Sequence, residues 1–184
     1  MSVIISGSTG ITLPDSGALS TSIGDAINIT SGYVSGIQLG GTGAANKLDD
    51  YEEGSVTLTT SDAVSGGNTG ITTTGYYTKI GNQVTLRGNF TNITTTGMTA
   101  ANPLRIQGLP YASNTSTIGN FGTCKLDNVA FQGGRTYAWV KVGGSSDYVY
   151  IQQGGNNISD TSIDVSDINS GVSDFDFQIT YTAA

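Results

Sequence analysis

Histidine is absent from this 184-residue chain, which removes the Ser-His and Cys-His nucleophilic pairs and every His-ligated metal site at once. Cysteine occurs once, at Cys124, so no internal disulfide can form, and with no His beside it the thiol is expected to be buried and inert. Charged residues make up only 11%, and seven Lys and Arg stand against fourteen acids, for a net charge of -7. The bases are scattered, so nucleic acid is not an expected partner, because sequence-independent binding needs clustered cations to displace counterions. No apolar run approaches the roughly 18–20 residues of a spanning helix, so no membrane insertion is expected. Met1-Ser2-Val3-Ile4-Ile5 lacks the positive charge and apolar length of a signal peptide, and synthesis in a cytosol is expected.

What the chain has instead is glycine, at 27 positions, with many Ser, Thr and Asn. Few helix formers and many β-branched residues predict an all-β protein with frequent turns. The clearest signal is the hairpin from Thr74 to Phe90. From Gln83 onward Val84, Leu86 and Phe90 share one face, with Gly88 as its one gap, and Gln83, Thr85, Arg87 and Asn89 share the other. A two-residue Gly81-Asn82 loop would put Lys79 and Tyr77 on the core face. A three-residue loop through Gln83 instead sets Ile80 opposite Val84 and adds Tyr76 to the core face, and this register is the expected one.

Residues 1–46 form a separate compositional block whose only charges are Asp15 and Asp25. Its short apolar pieces are too small to close a core alone, so the segment is either disordered or completed by neighbouring chains, and its β-branched, charge-poor composition makes the strand-rich, inter-chain form the expected one. Residues 47–54 hold four of the fourteen acids and read as a solvated acidic connector, with one helical turn stopped by Gly54 as one form it could take. Residues 55–184 are then the folded domain.

Three stretches carry a resemblance. They are Gly40-Gly41-Thr42-Gly43-Ala44-Ala45-Asn46-Lys47-Leu48-Asp49-Asp50-Tyr51-Glu52-Glu53-Gly54, then Gly75-Tyr76-Tyr77-Thr78-Lys79-Ile80-Gly81-Asn82-Gln83-Val84, then Ile106-Gln107-Gly108-Leu109-Pro110. In this order and spacing they resemble tail-fibre and virion-fibre proteins of marine and cyanobacterial tailed phages. Where that family often has Gly-Thr-Trp-Thr-Pro, this chain has Gly54-Ser55-Val56-Thr57-Leu58 and loses an aromatic anchor. The resemblance implies a jelly-roll-like antiparallel β-sandwich knob, commonly trimeric, on the virion surface after synthesis in the host cytoplasm. It implies no catalytic residue.

Further strands are expected at Leu104–Pro110, stopped by the proline, and at Gly119–Ala130, where Phe121, Thr123, Lys125 and Asp127 alternate with Gly122, Cys124 and Leu126. Asp174–Tyr181 is the cleanest, with Phe175, Phe177, Ile179 and Tyr181 on one side, each worth roughly 1.5–3 kcal/mol when buried. Thr136–Val142 and Tyr148–Gln153 form a second hairpin. A loop ending at Ser146 pairs Val140 with Val149, puts Ala138, Val142 and Ile151 in the core, and leaves Tyr137, Trp139, Tyr148 and Tyr150 with Lys141 on the opposite face. Such a row suits stacking against sugar rings, and the same residue types are enriched in subunit interfaces. Asp160, Asp164, Asp167, Asp174 and Asp176 lack the ligand spacing of a calcium loop, and Ile158, Ile163, Val165 and Ile168 between them read as strand faces, so no metal is expected.

The expected function follows from the resemblance and the aromatic row. The chain is expected to be no enzyme, to need no cofactor, to form a homotrimer, and to attach through residues 1–46 to other virion proteins. Its knob would present a face to host cell-surface glycan. The alternative is a capsid decoration or head-fibre protein that binds no receptor.

Overall fold

The computed structural model describes residues 37–38, 47–48, 50–62, 68–115 and 120–184, all within the compact unit Gly36–Ala184. The attachment segment expected over 1–46 lies outside the described residues except for β1 (Ile37–Gln38), which pairs antiparallel with β2 (Lys47–Leu48). The remaining strands are β3 (Tyr51–Ser61), β4 (Thr69–Ile80), β5 (Gln83–Phe90), β6 (Arg105–Gln107), β7 (Phe121–Asp127), β8 (Tyr137–Val142), β9 (Tyr148–Gly155), β10 (Ile158–Ser162) and β11 (Asp174–Thr182). Among the described residues there is no α-helix.

Every strand pair is antiparallel. The ladder runs β9-β6-β3-β4-β5-β11-β7-β8 and returns to β9, because β8 pairs with β9 as well as with β7, so eight strands close into a barrel. β10 lies on the same edge of β9 as β6 and extends it. The expected two-sheet sandwich therefore gives way to one continuous sheet, and closure removes the exposed edges that two stacked sheets would leave.

Alternation fills the interior. Leu58, Val84, Leu86, Ile106, Val140, Val142, Val149, Ile151, Phe175, Phe177, Ile179 and Tyr181 are all buried. Phe177 stacks on Phe175 at 5.3 Å between centroids, which bears out the reading of β11. Gly88 and Gly75 are closely packed gaps, since a Cβ on either would meet Leu58 Cδ1, at 2.6 and 2.5 Å respectively. One end of the barrel is plugged by Ile93, Leu104, Ile163, Val165 and Ile168, the last two at the ends of a 3-10 turn and its cap. The strand faces expected over 163–168 are thus an end plug, because the chain turns there instead of extending.

The first hairpin differs from expectation. Ile80 pairs with Gln83 and Lys79 with Val84, so the loop is Gly81-Asn82 alone, and Gly81 supplies the φ of +59° that the first position of such a loop favours. Tyr76, expected inside, is 55% exposed, and Tyr77 packs on the core instead. The objection to this register was a buried ammonium. Lys79 answers it by sitting at the barrel end, where Nζ bonds Asp50 Oδ2 at 2.5 Å, lies 3.7 Å from Glu52 and approaches the Tyr111 ring. The run 47–54 is correspondingly not a helical turn: Tyr51–Gly54 opens β3, paired with Tyr77–Ile80.

In the second hairpin Val142 pairs with Val149 and Val140 with Ile151. The expected Val140–Val149 pair is displaced by two residues, a shift that keeps every side chain on its expected face.

Candidate functional site

The aromatic residues of the second hairpin do gather on the outside of the barrel. β8 turns Tyr137, Trp139 and Lys141 outward, and β9 turns out Tyr148, Tyr150 and Gln152. The observed register sets Tyr137 beside Gly154, Trp139 beside Gln152 and Lys141 beside Tyr150. Because Gly154 has no side chain, the rings of both Tyr137 and Trp139 reach over it: a Cβ there would meet each at 2.9 Å. The two rings lie 5.6 Å apart and tilted by 31°, and Tyr137 is 55% exposed. On the other half of the face Tyr148 and Tyr150 meet edge to face at 4.8 Å, with their hydroxyls 2.6 Å apart. Burial, and then the Tyr148 hydroxyl, push the Tyr150 phenol above its ordinary pKa, so it stays a neutral hydrogen-bonding group at physiological pH.

Two cations join these rings, along with a further ring that sequence reasoning did not assign to the face. Arg105 on β6 pairs with Tyr150, and its guanidinium lies 4.2 Å from the Tyr148 centroid and 5.2 Å from that of Tyr150. Phe121 on β7 pairs with Lys141, whose ammonium is 5.9 Å from its centroid. Arg105, Tyr150, Lys141 and Phe121 are therefore consecutive cross-strand partners, cation and aromatic alternating across four strands. Among the described residues neither Arg105 nor Lys141 has a carboxylate within ion-pair distance, whereas Lys79 and Lys125 do. Arg105 Nε is buried with no hydrogen-bond partner. Such a face can stack on flat apolar surfaces, exchange hydrogen bonds through phenol and indole groups, and attract an anion.

Half a turn round the barrel, two hollows of about 530 Å³ each share Tyr76, Arg87 and Gln178. Arg87 pairs with both Tyr76 and Gln178, and its guanidinium lies 5.9 Å from the Tyr76 ring. The acids around these hollows are already engaged, since Tyr51 donates to Glu53 and Asn89 to Asp176.

The other candidates are dispersed or committed. Asp167 is buried and accepts from the Asp164 backbone N–H at 2.8 Å and from Gln132 Nε2 at 2.6 Å, while Asp174 accepts from the Asn92 backbone N–H. Among the described residues no three acids or thiols converge as a metal cage. Cys124 is half-buried, and burial pushes its thiol up to about 11. In comparisons with known proteins, no family model and no curated protein matches the chain.

Proposed function

We propose that this protein is a phage virion component, a tail-fibre or fibre-tip adhesin whose barrel offers its Tyr137, Trp139, Tyr148 and Tyr150 face to host-surface glycan. The observation that carries this reading is the outward, partly exposed set of four aromatic rings on rigid strands, where phenol and indole groups stand beside apolar ring faces. Rings fixed by a β-sheet lose little freedom on binding, which favours them as a platform for a flexible saccharide. The chain acts as a homotrimer held on the virion through residues 1–46, and it binds without transforming what it binds. The three motifs shared with virion-fibre proteins support the setting.

Incubating host cells with the full-length protein before infection tests the proposal. Cell binding and reduced phage adsorption are expected, with a trimeric mass by sedimentation equilibrium. A protein found in many copies on the head, with no affinity for cells and no effect on adsorption, would instead be a decoration or head-fibre component.

A further inference from the structure

We infer that the aromatic face selects acidic saccharides, with Arg105 and Lys141 as the groups that read their carboxylates; this rests on the glycan-binding reading above. The two cations flank Tyr150 on neighbouring strands, so their backbones stand two interstrand spacings apart, roughly 10 Å. That span fits a chain of sugars running across the strands, with acidic groups over the two cations and a ring face on the aromatic surface between them.

The electrostatic contrast is what makes the pair informative. The chain carries a net charge of -7, so its body repels a polyanion. Only where cations lack neighbouring carboxylates is that repulsion reversed, and the stretch from Arg105 to Phe121 is such a place. Tyr150 is influenced electrostatically by Tyr148 and Arg105, with no acid among the causes of its shift. Among the described residues Lys125 bonds Asp127 and Lys79 bonds Asp50, whereas Arg105 and Lys141 have no such partner. Arg87 and Arg135 lack one too, and what sets Arg105 and Lys141 apart is that they flank one aromatic residue, Tyr150, as its cross-strand partners.

Arginine is suited to this role because its planar fork of donors matches a carboxylate at two points, while Lys141 adds a point charge on a flexible stem. Lying over the Tyr148 and Tyr150 rings, the Arg105 guanidinium is held in place before any ligand arrives. Neutral sugars would meet the same rings without the charge contribution.

Affinity electrophoresis of the full-length protein through gels containing polygalacturonate or alginate, with dextran and laminarin as neutral counterparts, tests this. Retardation by the acidic polymers at least tenfold stronger than by the neutral ones is expected, weakening as salt is raised. In Arg105→Gln/Lys141→Gln that excess should vanish while the melting temperature stays near that of the parent. Equal retardation by neutral and acidic gels, unchanged in the double variant, overturns the selectivity and leaves the glycan reading standing. No retardation in any gel overturns both. A variant that loses acidic binding together with its cooperative melting is replaced by Lys141→Gln alone, whose acidic retardation must fall by several-fold or the inference fails.

Discussion

Lys79 is the cross-strand partner of Val84, and this pairing fixes which side chains of β4 enter the barrel. A lysine on an inward face is admissible here because the position is near the end of the strand, where the stem lies against the interior and the ammonium reaches Asp50. The hydrogen bond to the Asp50 carboxylate, and then its charge, raise the pKa of Lys79 above its ordinary value, so the ammonium keeps its charge throughout the neutral range.

Lys79→Met should therefore fold, since the apolar stem is retained and the carboxylates it leaves unpaired, Asp50 and Glu52, are half-exposed to water. Lys79→Asp should melt well below it, because a third carboxylate joins Asp50 and Glu52. Differential scanning calorimetry of the two variants distinguishes this arrangement from one in which Lys79 faces solvent, for which both substitutions would be nearly neutral.

Gly88 sits between Leu58 and Phe177, where a Cβ would approach them to 2.6 and 2.8 Å. Gly88→Ala is expected to lose about 1–3 kcal/mol by overpacking. Combined with Leu58→Val, which vacates the contested space, it should lose less than the sum of the two single changes in urea denaturation. Strict additivity would mean that Leu58 does not fill the gap.

How much of this was legible in the sequence depended on parity. β5 and β11 alternate cleanly, so Val84, Leu86, Phe177 and Ile179 could be placed inside at once. The register of the second hairpin was misjudged by two residues and its faces survived; that of the first was misjudged by one, which moved Tyr76 and Tyr77 to the wrong sides. Nothing local could have brought Arg105 or Phe121 to the aromatic face, since β6 and β7 reach it only through closure of the barrel. β3 was hidden because its acidic start looked like a connector, and its outward partners are visible only once β4 lies beside it. The position of Gly154 beneath Tyr137 and Trp139 likewise follows from the register and not from spacing.

Gln153 is fully buried and bridges three groups. Its Oε1 accepts from the Gln132 backbone N–H at 2.8 Å, and its Nε2 donates to Ser162 O at 3.1 Å and to Asp167 Oδ2 at 3.3 Å. Gln153→Leu is more apolar yet should be strongly destabilising, at about 1–3 kcal/mol for each buried group left unsatisfied. Chemical denaturation measures this, and a loss below about 1 kcal/mol would show that water replaces the amide.

Burial pushes the Tyr181 phenol up to about 12, and its hydroxyl donates to Tyr111 O at 2.8 Å. An unfolded tyrosine titrates near 10, so between about pH 10 and 12 the folded chain holds a proton that the unfolded chain has released. Stability from this group is thus complete below pH 10 and is lost as pH rises through that window. Tyr181→Phe should flatten the alkaline limb of a stability profile; an unchanged slope there would mean that Tyr181 titrates normally.

Trp139 is the one tryptophan of the chain and lies within the proposed binding face, so its emission reports that face directly. The decisive measurement is Trp139 fluorescence and acrylamide quenching in the full-length oligomer, titrated with a panel of neutral and acidic bacterial polysaccharides. A saturable change in emission with protection from quencher is predicted, and it should be lost in Tyr137→Ser/Tyr150→Ser. A tryptophan already shielded in the free oligomer and indifferent to every polysaccharide would contradict the proposal and assign the face to contact between copies.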